Sequence, residues 1–332
     1  MTYRVVLTDF IRDDCAPERK ILEGLAEVSA LGARSEAELL RRIEEVEDVD
    51  AIILFHEMLM RPAILDRLRR CKLIVRAGVG YDNIDCRHAR SLGIPVANVP
   101  DYGSEEVADT ALAMALSLAR GVHFLNSRLR AGEGLWSYLQ VVPLARLRRQ
   151  SFGIVGLGRI GTAAALRAKA FGMEVLFYDP YKPDGYDKAL GIVRCERLEE
   201  LLERSSIVSL HCPATPETFH LIDAAAIARM PRGAYLVNTA RGPVIETAAV
   251  PPALVSGQLA GAGIDVYENE PPGPDDPLLA AWRDPAHPAH HRLILNPHSA
   301  FYSEQGLLDM RTKAAEACRR AFLGLPLRNL VN

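Results

Sequence analysis

The chain has 332 residues, enough for two domains with sizeable cores. Apolar residues make up 49% and charged residues 24%, and the net charge of −3 excludes a strong field for nucleic acid or an anionic membrane. The N-terminal MTYRVVLTDF lacks the parts of a signal peptide, no apolar stretch is long enough to span a bilayer, and the six cysteines form no CxxC pair, so a reducing cytoplasm is expected without a zinc site or disulfide framework.

Short apolar, β-branched runs at 3–7, 51–54, 73–75 and 96–97 alternate with helical patterns at 36–46 and 62–68. That order predicts βαβ units and a parallel sheet. From 105 to about 129, Val107, Ala108, Ala111, Leu112, Ala115, Leu116 and Ala119 recur on one side of a single long helix. The basic cluster Arg146, Arg148 and Arg149 has no aromatic interleaving and reads as a solvated face. A second series begins at Ser151, with a strand at 152–155, a helix at 159–171 and a strand at 174–178. Strands at 207–210, 234–237, 260–264 and 293–295 continue it. The stretch 270–291 is rich in Pro, Asp and His and reads as a loop, with His287, His290 and His291 solvated rather than metal-binding. An amphipathic helix at 303–323 closes the series.

Gly156-Leu157-Gly158-Arg159-Ile160-Gly161 fits G-x-G-x-x-G between an apolar strand and a helix. Gly156 suits the tight turn, Gly158 a close backbone approach to pyrophosphate, and Gly161 close helix–strand packing. The helix start offers free N–H groups to the phosphates. Asp179 ends the next strand, where a carboxylate accepts from the ribose hydroxyls and repels a 2′-phosphate. The predicted cofactor is NAD.

Three later motifs place reactive side chains at strand ends, which line the ligand crevice in open α/β sheets. They are Asn238-Thr239-Ala240-Arg241-Gly242, the run from Asp265 to Pro271, and Asn296-Pro297-His298-Ser299. Hydride transfer between an alcohol and nicotinamide leaves a hydroxyl proton that the protein must handle. His298 suits that role, a carboxylate beside it orients the ring, and Arg241 can hold a carboxylate and polarise a carbonyl. Either Glu270 or Glu268 can be the partner carboxylate on this chemistry alone.

These residues resemble the D-isomer-specific 2-hydroxyacid dehydrogenase family. The motifs GVGYDNID (78–85), GLGRIG (156–161), HCPATPET (211–218), NTARG (238–242), DVYENEP (265–271) and NPHSA (296–300) occur in the family's order. Within it, residues 166–181 and 302–310 look most like the C-terminal binding proteins. The resemblance implies two Rossmann-like or flavodoxin-like α/β domains with parallel sheets and an active site in the cleft between them. The substrate domain would be 1–100 with 298–332, and the NAD domain 101–297 with a dimerisation arm at about 105–150. Arg241 would bind and polarise substrate, Glu270 would partner the histidine, and His298 would be acid and base. Amides around Val79 and Gly80 would hold the substrate carboxylate, with Arg76 and His56 lining its pocket. Cys212, Pro213 and Thr218 would line the cofactor together with Thr239 and Ala240, and Asp265 would bind the carboxamide.

This chain departs from the corepressors in Phe301, where they usually carry Trp, which keeps an aromatic wall but loses an N–H. Pro243 and the pair Pro251-Pro252 would shift the start of a helix. The expected function is a cytoplasmic, homodimeric NAD-dependent D-2-hydroxyacid dehydrogenase acting on small 2-oxo and 2-hydroxy acids. The competing reading is an NADH-sensing, protein-binding module. The intact Arg241, Glu270 and His298, and the lack of a long disordered tail, favour the enzyme.

Overall fold

Val5, Val6 and Leu7 are buried in the first strand, β1 (Tyr3–Leu7), because a parallel sheet is covered on both faces. The computed structural model describes residues 2–332, which divide into two units. One comprises 2–103 and Tyr302–Asn332, the other Ser104–Phe301.

In the first unit, β1 is followed by α1 (Ala16–Ile21), β2 (Ala26–Ala30), α2 (Glu36–Arg41), β3 (Ala51–Leu54), α3 (Pro62–Leu65), β4 (Leu73–Arg76), α4 (Cys86–Ser91) and β5 (Val96–Asn98). The strands make one parallel sheet in the order β2-β1-β3-β4-β5. β2 carries no apolar run, which is why the sequence reading missed it: at the sheet edge, only Val28 is buried. The helix expected over 36–46 ends at Arg41, then tightens into a 3-10 turn at Ile43–Glu45.

The second unit opens with α5 (Ser104–Ala119) and α6 (Val122–Arg130). The single long helix expected here breaks at Gly121, whose φ of 66° is left-handed and cannot continue a helix. Then come β6 (Ser151–Val155), α7 (Arg159–Ala170), β7 (Glu174–Tyr178), α8 (Tyr186–Leu190), β8 (Val193–Arg194), α9 (Leu198–Arg204) and β9 (Ile207–Leu210). They are followed by α10 (Ala224–Arg229), β10 (Ala234–Asn238), α11 (Val250–Ser256), β11 (Leu259–Ile264), α12 (Pro277–Arg283) and β12 (Leu293–Leu295). Seven parallel strands lie in the order β12-β11-β10-β9-β6-β7-β8, so the chain reverses direction across the sheet between β6 and β9. That switch point is where such sheets take ligands.

α12 lies inside the stretch expected to be a loop. Asp276 caps it by accepting from the Leu279 amide at 2.8 Å, Pro277 opens it, and Leu278, Leu279 and Ala281 are buried. Pro251 and Pro252 sit in the first turn of α11, where the missing N–H has no helical partner to lose. His291 is 7% exposed, its Nε2 donating to Glu133 at 3.1 Å and its Nδ1 hydrogen-bonded to the Ser127 hydroxyl at 2.8 Å, so it is no part of a solvated cluster. No group of three metal-ligating side chains occurs among the described residues.

The chain returns to the first unit through α13 (Glu304–Phe322), which packs on α1 and against β3 and β4. Buried Arg311 chelates Glu18 at 2.6 and 2.7 Å and Asp13 at 2.6 and 2.8 Å. Such forked pairing satisfies a guanidinium that water no longer reaches. The unit boundary falls after Phe301, not before His298 as expected. The Asp265 carboxylate accepts from the Ser299 and Ala300 amides, tying 298–301 to the second sheet.

Candidate active site

The glycine turn leaves β6 at the switch point. A Cβ at Gly161 would stand 2.1 Å from the Gly156 oxygen, and one at Gly156 would stand 2.7 Å from the Cys212 nitrogen. Those two glycines serve internal packing. A Cβ at Gly158 meets nothing within 4 Å, and both Gly158 and Arg159 are exposed. Open space over a helix start is what a diphosphate requires. Ile160 packs into the core beneath. Asp179 bridges the turn to the following loop, accepting from the Leu157 amide at 2.8 Å and the Tyr181 amide at 3.0 Å.

The HCPATPET segment forms the facing wall. Thr218 Oγ1 donates to the Pro213 carbonyl at 2.6 Å and accepts from the Thr215 amide at 2.8 Å, so its hydroxyl braces its own loop. Burial pushes the Cys212 thiol up to about 11, which keeps it protonated and unreactive at neutral pH. Burial also pushes His211 down to about 4, so it is neutral. His211 Nδ1 and Thr239 Oγ1 are buried with no hydrogen-bond partner among the described residues. Orphaned buried polar atoms beside an open cradle fit a polar ligand such as a dinucleotide.

The carboxyl ends of β10, β11 and β12 carry the remaining groups. Asn238 pairs with Ile264, and Ile264 with Leu295, so the three strands end level with one another. Arg241 follows β10 by three residues, Asp265 follows β11 directly, and His298 follows β12 by three. Buried Asn238 braces the first turn, donating to the Arg241 carbonyl at 2.9 Å and accepting from the Ala240 amide at 3.0 Å. A Cβ at Gly242 would stand 1.7 Å from the Tyr267 oxygen, a measure of how closely this turn meets the segment that leads to Glu270.

His298 Nδ1 lies 2.6 Å from Glu270 Oε2. The other oxygen of Glu270 accepts from the Tyr267 amide at 2.8 Å. Glu268 is committed elsewhere, accepting from the Thr247 amide, the Thr247 hydroxyl and His220, each at 2.9 Å. The two carboxylates that the bare chemistry left open thus have separate partners. Asp265 is 1% exposed. Burial raises its carboxyl above the ordinary aspartate value, while the Ser299 and Ala300 amides pull it back. Its carbonyl also accepts from the His298 amide at 2.7 Å, so Asp265 positions the histidine turn. The Phe301 ring stands 6.0 Å from the His298 ring, edge to face.

Within the first unit, Gly78 has a φ of 145°, and a Cβ there would collide with the Arg76 guanidinium. Arg76 is 6% exposed and donates to the Ala77 carbonyl from beneath this loop. Asn98 holds the loop by donating to the Val79 carbonyl at 2.7 Å. The amides of Val79 and Gly80 meet no acceptor among the described residues. The next loop presents His56, whose ring lies 5.0 Å from that of Phe10.

Residues 112–300, more than half of the chain, match the pattern described as D-isomer specific 2-hydroxyacid dehydrogenase, NAD binding domain. The chain belongs to the D-isomer specific 2-hydroxyacid dehydrogenase family. It is 38% identical over 291 residues to a glyoxylate reductase of Korarchaeum cryptofilum, covering 87% of this chain and 85% of that one. It is 34% identical over 329 residues, or 99% of its length, to a D-3-phosphoglycerate dehydrogenase of Methanocaldococcus jannaschii, and spans 59% of that protein. The crystal structure of a D-lactate dehydrogenase from Aquifex aeolicus, complexed with NAD and lactic acid, matches with a TM-score of 0.85 at 29% identity, covering 96% of each chain.

As a member of this dehydrogenase family, the chain has NAD as its cofactor, and the cradle fits it. Gly158 and the helix start of α7 suit the diphosphate, Asp179 the ribose, and the buried His211 Nδ1 and Thr239 hydroxyl a remaining polar edge. Reading the sequence missed His211 and Asn238. Both lie inside quoted motifs, and a buried polar residue directly at a strand end is the signal that marks them.

Proposed function

We propose that this protein is an NADH-dependent reductase of small 2-oxo acids, and the D-2-hydroxyacid dehydrogenase of the reverse reaction. The observation that carries this is the 2.6 Å contact between His298 Nδ1 and Glu270, at strand ends level with Arg241 and in the same unit as the glycine cradle. Bound NADH supplies the hydride. With its ring oriented through Nδ1 by Glu270, His298 delivers a proton to the substrate's carbonyl oxygen and takes one back in reverse. The Arg241 guanidinium polarises that carbonyl. Asp265 keeps the histidine turn in register and offers its carboxylate to the carboxamide end of the cofactor. The family resemblance assigns the grip on the substrate carboxylate to the Val79 and Gly80 amides with Arg76 and His56. Phe301 forms an apolar wall beside His298.

A homodimer joined by the arm accompanies this reading. Leu135, Trp136, Tyr138 and Leu139 are 76%, 90%, 74% and 60% exposed. Apolar residues clustered at that exposure mark an interaction surface. The resemblance of residues 166–181 and 302–310 to the C-terminal binding proteins supports a second reading as an NADH-sensing, protein-binding module. The test is NADH oxidation with a panel of 2-oxo acids from glyoxylate upward. Turnover with at least one is expected. Tight NADH binding without oxidation by any of them overturns the enzyme reading in favour of the sensor.

A further inference from the structure

Asp9 follows β1 at the carboxyl edge of the first sheet and is fully buried. Its Oδ1 accepts from the Thr8 hydroxyl at 2.9 Å and from the Phe55 amide at 2.8 Å. Its Oδ2 accepts from the Glu57 amide at 3.0 Å. The two amides flank His56. From the other side, Asn83 Nδ2 donates to the Phe55 and Met58 carbonyls at 2.8 Å each. The backbone that carries His56 is therefore gripped by one carboxylate and one amide.

A buried carboxylate is costly unless hydrogen bonds and a counter-charge offset its desolvation. Burial raises the Asp9 carboxyl above the ordinary aspartate value, and the Phe55 amide, Thr8, Arg76 and the Glu57 amide pull it back. A neutral side chain would brace two amides at lower cost. The nearby Arg76 guanidinium, 6% exposed beneath Gly78, favours the charged form. Phe10, the next residue, is held at a φ of 62°, a conformation seldom adopted outside glycine and one that concentrates at functional loops. Its ring leans on Phe55 and His56, with centroids 5.4 and 5.0 Å away.

We propose that Asp9 is a positioning residue for substrate binding, holding the His56 loop through the Phe55 and Glu57 amides. It rests on the reading that this loop helps to grip the substrate carboxylate. Asp9 touches no reacting atom. Its loss affects how well the 2-oxo acid is held, and leaves hydride transfer and the cofactor cradle of the other unit intact.

The test compares wild type with Asp9→Asn and the milder Thr8→Val, which removes one hydrogen bond to Asp9 and leaves its charge. For Asp9→Asn, KM for the best 2-oxo acid is expected to rise about tenfold with kcat within about twofold, and Thr8→Val about threefold in KM. NADH affinity is expected to stay unchanged. Oxamate affinity for the NADH complex, measured by calorimetry, should fall in step with KM. An unchanged KM in Asp9→Asn overturns the inference while the enzyme reading stands, as does a loss confined to kcat. Should Asp9→Asn fail to fold, an unchanged KM in Thr8→Val overturns it. A wild type that neither turns over a 2-oxo acid nor binds oxamate removes the enzyme reading and this inference with it.

Discussion

His298 Nδ1 faces Glu270 Oε2 at 2.6 Å, and this contact orients the imidazole ring. Replacing His298 by Ala removes the proposed proton donor, so reduction is expected to fall by about a thousandfold or more. NADH affinity stays within about twofold, because the diphosphate and ribose groups lie elsewhere. Glu270→Gln keeps the shape but loses the charge that orients the ring, and kcat is expected to drop about a hundredfold. Glu268→Gln, whose carboxylate serves Thr247 and His220, leaves kcat near wild type. Steady-state kinetics on the three variants check this, and a Glu268 variant as inactive as Glu270→Gln would reverse the assignment.

The glycines of the turn divide by what a methyl group would meet. Gly158→Ala points into open space, so the melting temperature holds while the added carbon obstructs the diphosphate. An NADH Kd raised by about tenfold is expected. Gly161→Ala places its methyl 2.1 Å from the Gly156 oxygen, and the backbone must shift. Here stability falls, by about 2 kcal/mol. Thermal unfolding with calorimetric titration separates the two, and equal losses of stability would contradict the division.

How far the sequence reached is visible in these residues. The central strands are apolar on both faces, so their composition alone reveals them. β2 escaped because its single buried residue leaves no pattern, and α12 because its start signal, Asp276-Pro277, sat in a Pro-rich stretch. The glycine turn was legible because its spacing is local. The pairing of His298 with Glu270 was not legible from chemistry alone, since 28 residues separate them and Glu268 is equally suited. Folding distinguishes them: the chain bends through residues 268–271, so Glu268 reaches Thr247 and Glu270 reaches His298. Asp9 carried no motif, and the role proposed for it rests on two hydrogen bonds made across the sheet edge, from the Phe55 and Glu57 amides.

Asp179 receives two backbone amides and lies where the adenosine ribose is expected. Asp179→Ala removes a ribose acceptor and loosens the turn at Leu157, so NADH binding weakens by about tenfold. It also removes the charge that repels a 2′-phosphate, so NADPH binding weakens less and the NADH/NADPH affinity ratio shrinks. Fluorescence titration with both cofactors checks the ratio. A ratio equal to wild type counts against the ribose contact.

The arm's exposed aromatic and aliphatic residues give a prediction about assembly. Trp136→Asp puts a charge where an apolar contact is proposed, and association loses about 3 kcal/mol or more. Sedimentation velocity at micromolar concentration is expected to show a dimer for wild type and a monomer for the variant. A wild type that sediments as a monomer overturns the dimer.

Glu268 links this site to pH. Partial burial raises its carboxyl, but the Thr247 amide, the His220 ring and the Thr247 hydroxyl outweigh that and leave it below the ordinary glutamate value of 4.5. A carboxylate depressed on folding contributes stability above its unfolded value and loses it as pH falls through the folded one. Glu268→Gln is therefore expected to cost about 2 kcal/mol at neutral pH, since hydrogen bonds to a charged acceptor are replaced by neutral ones. The gap between wild type and variant then narrows as pH falls from about 5 towards 3, because protonation makes wild-type Glu268 neutral as well. Urea unfolding of both proteins across that range reads the gap directly. A difference that stays constant with pH would mean that the Thr247 and His220 contacts stabilise the fold through shape and not through charge.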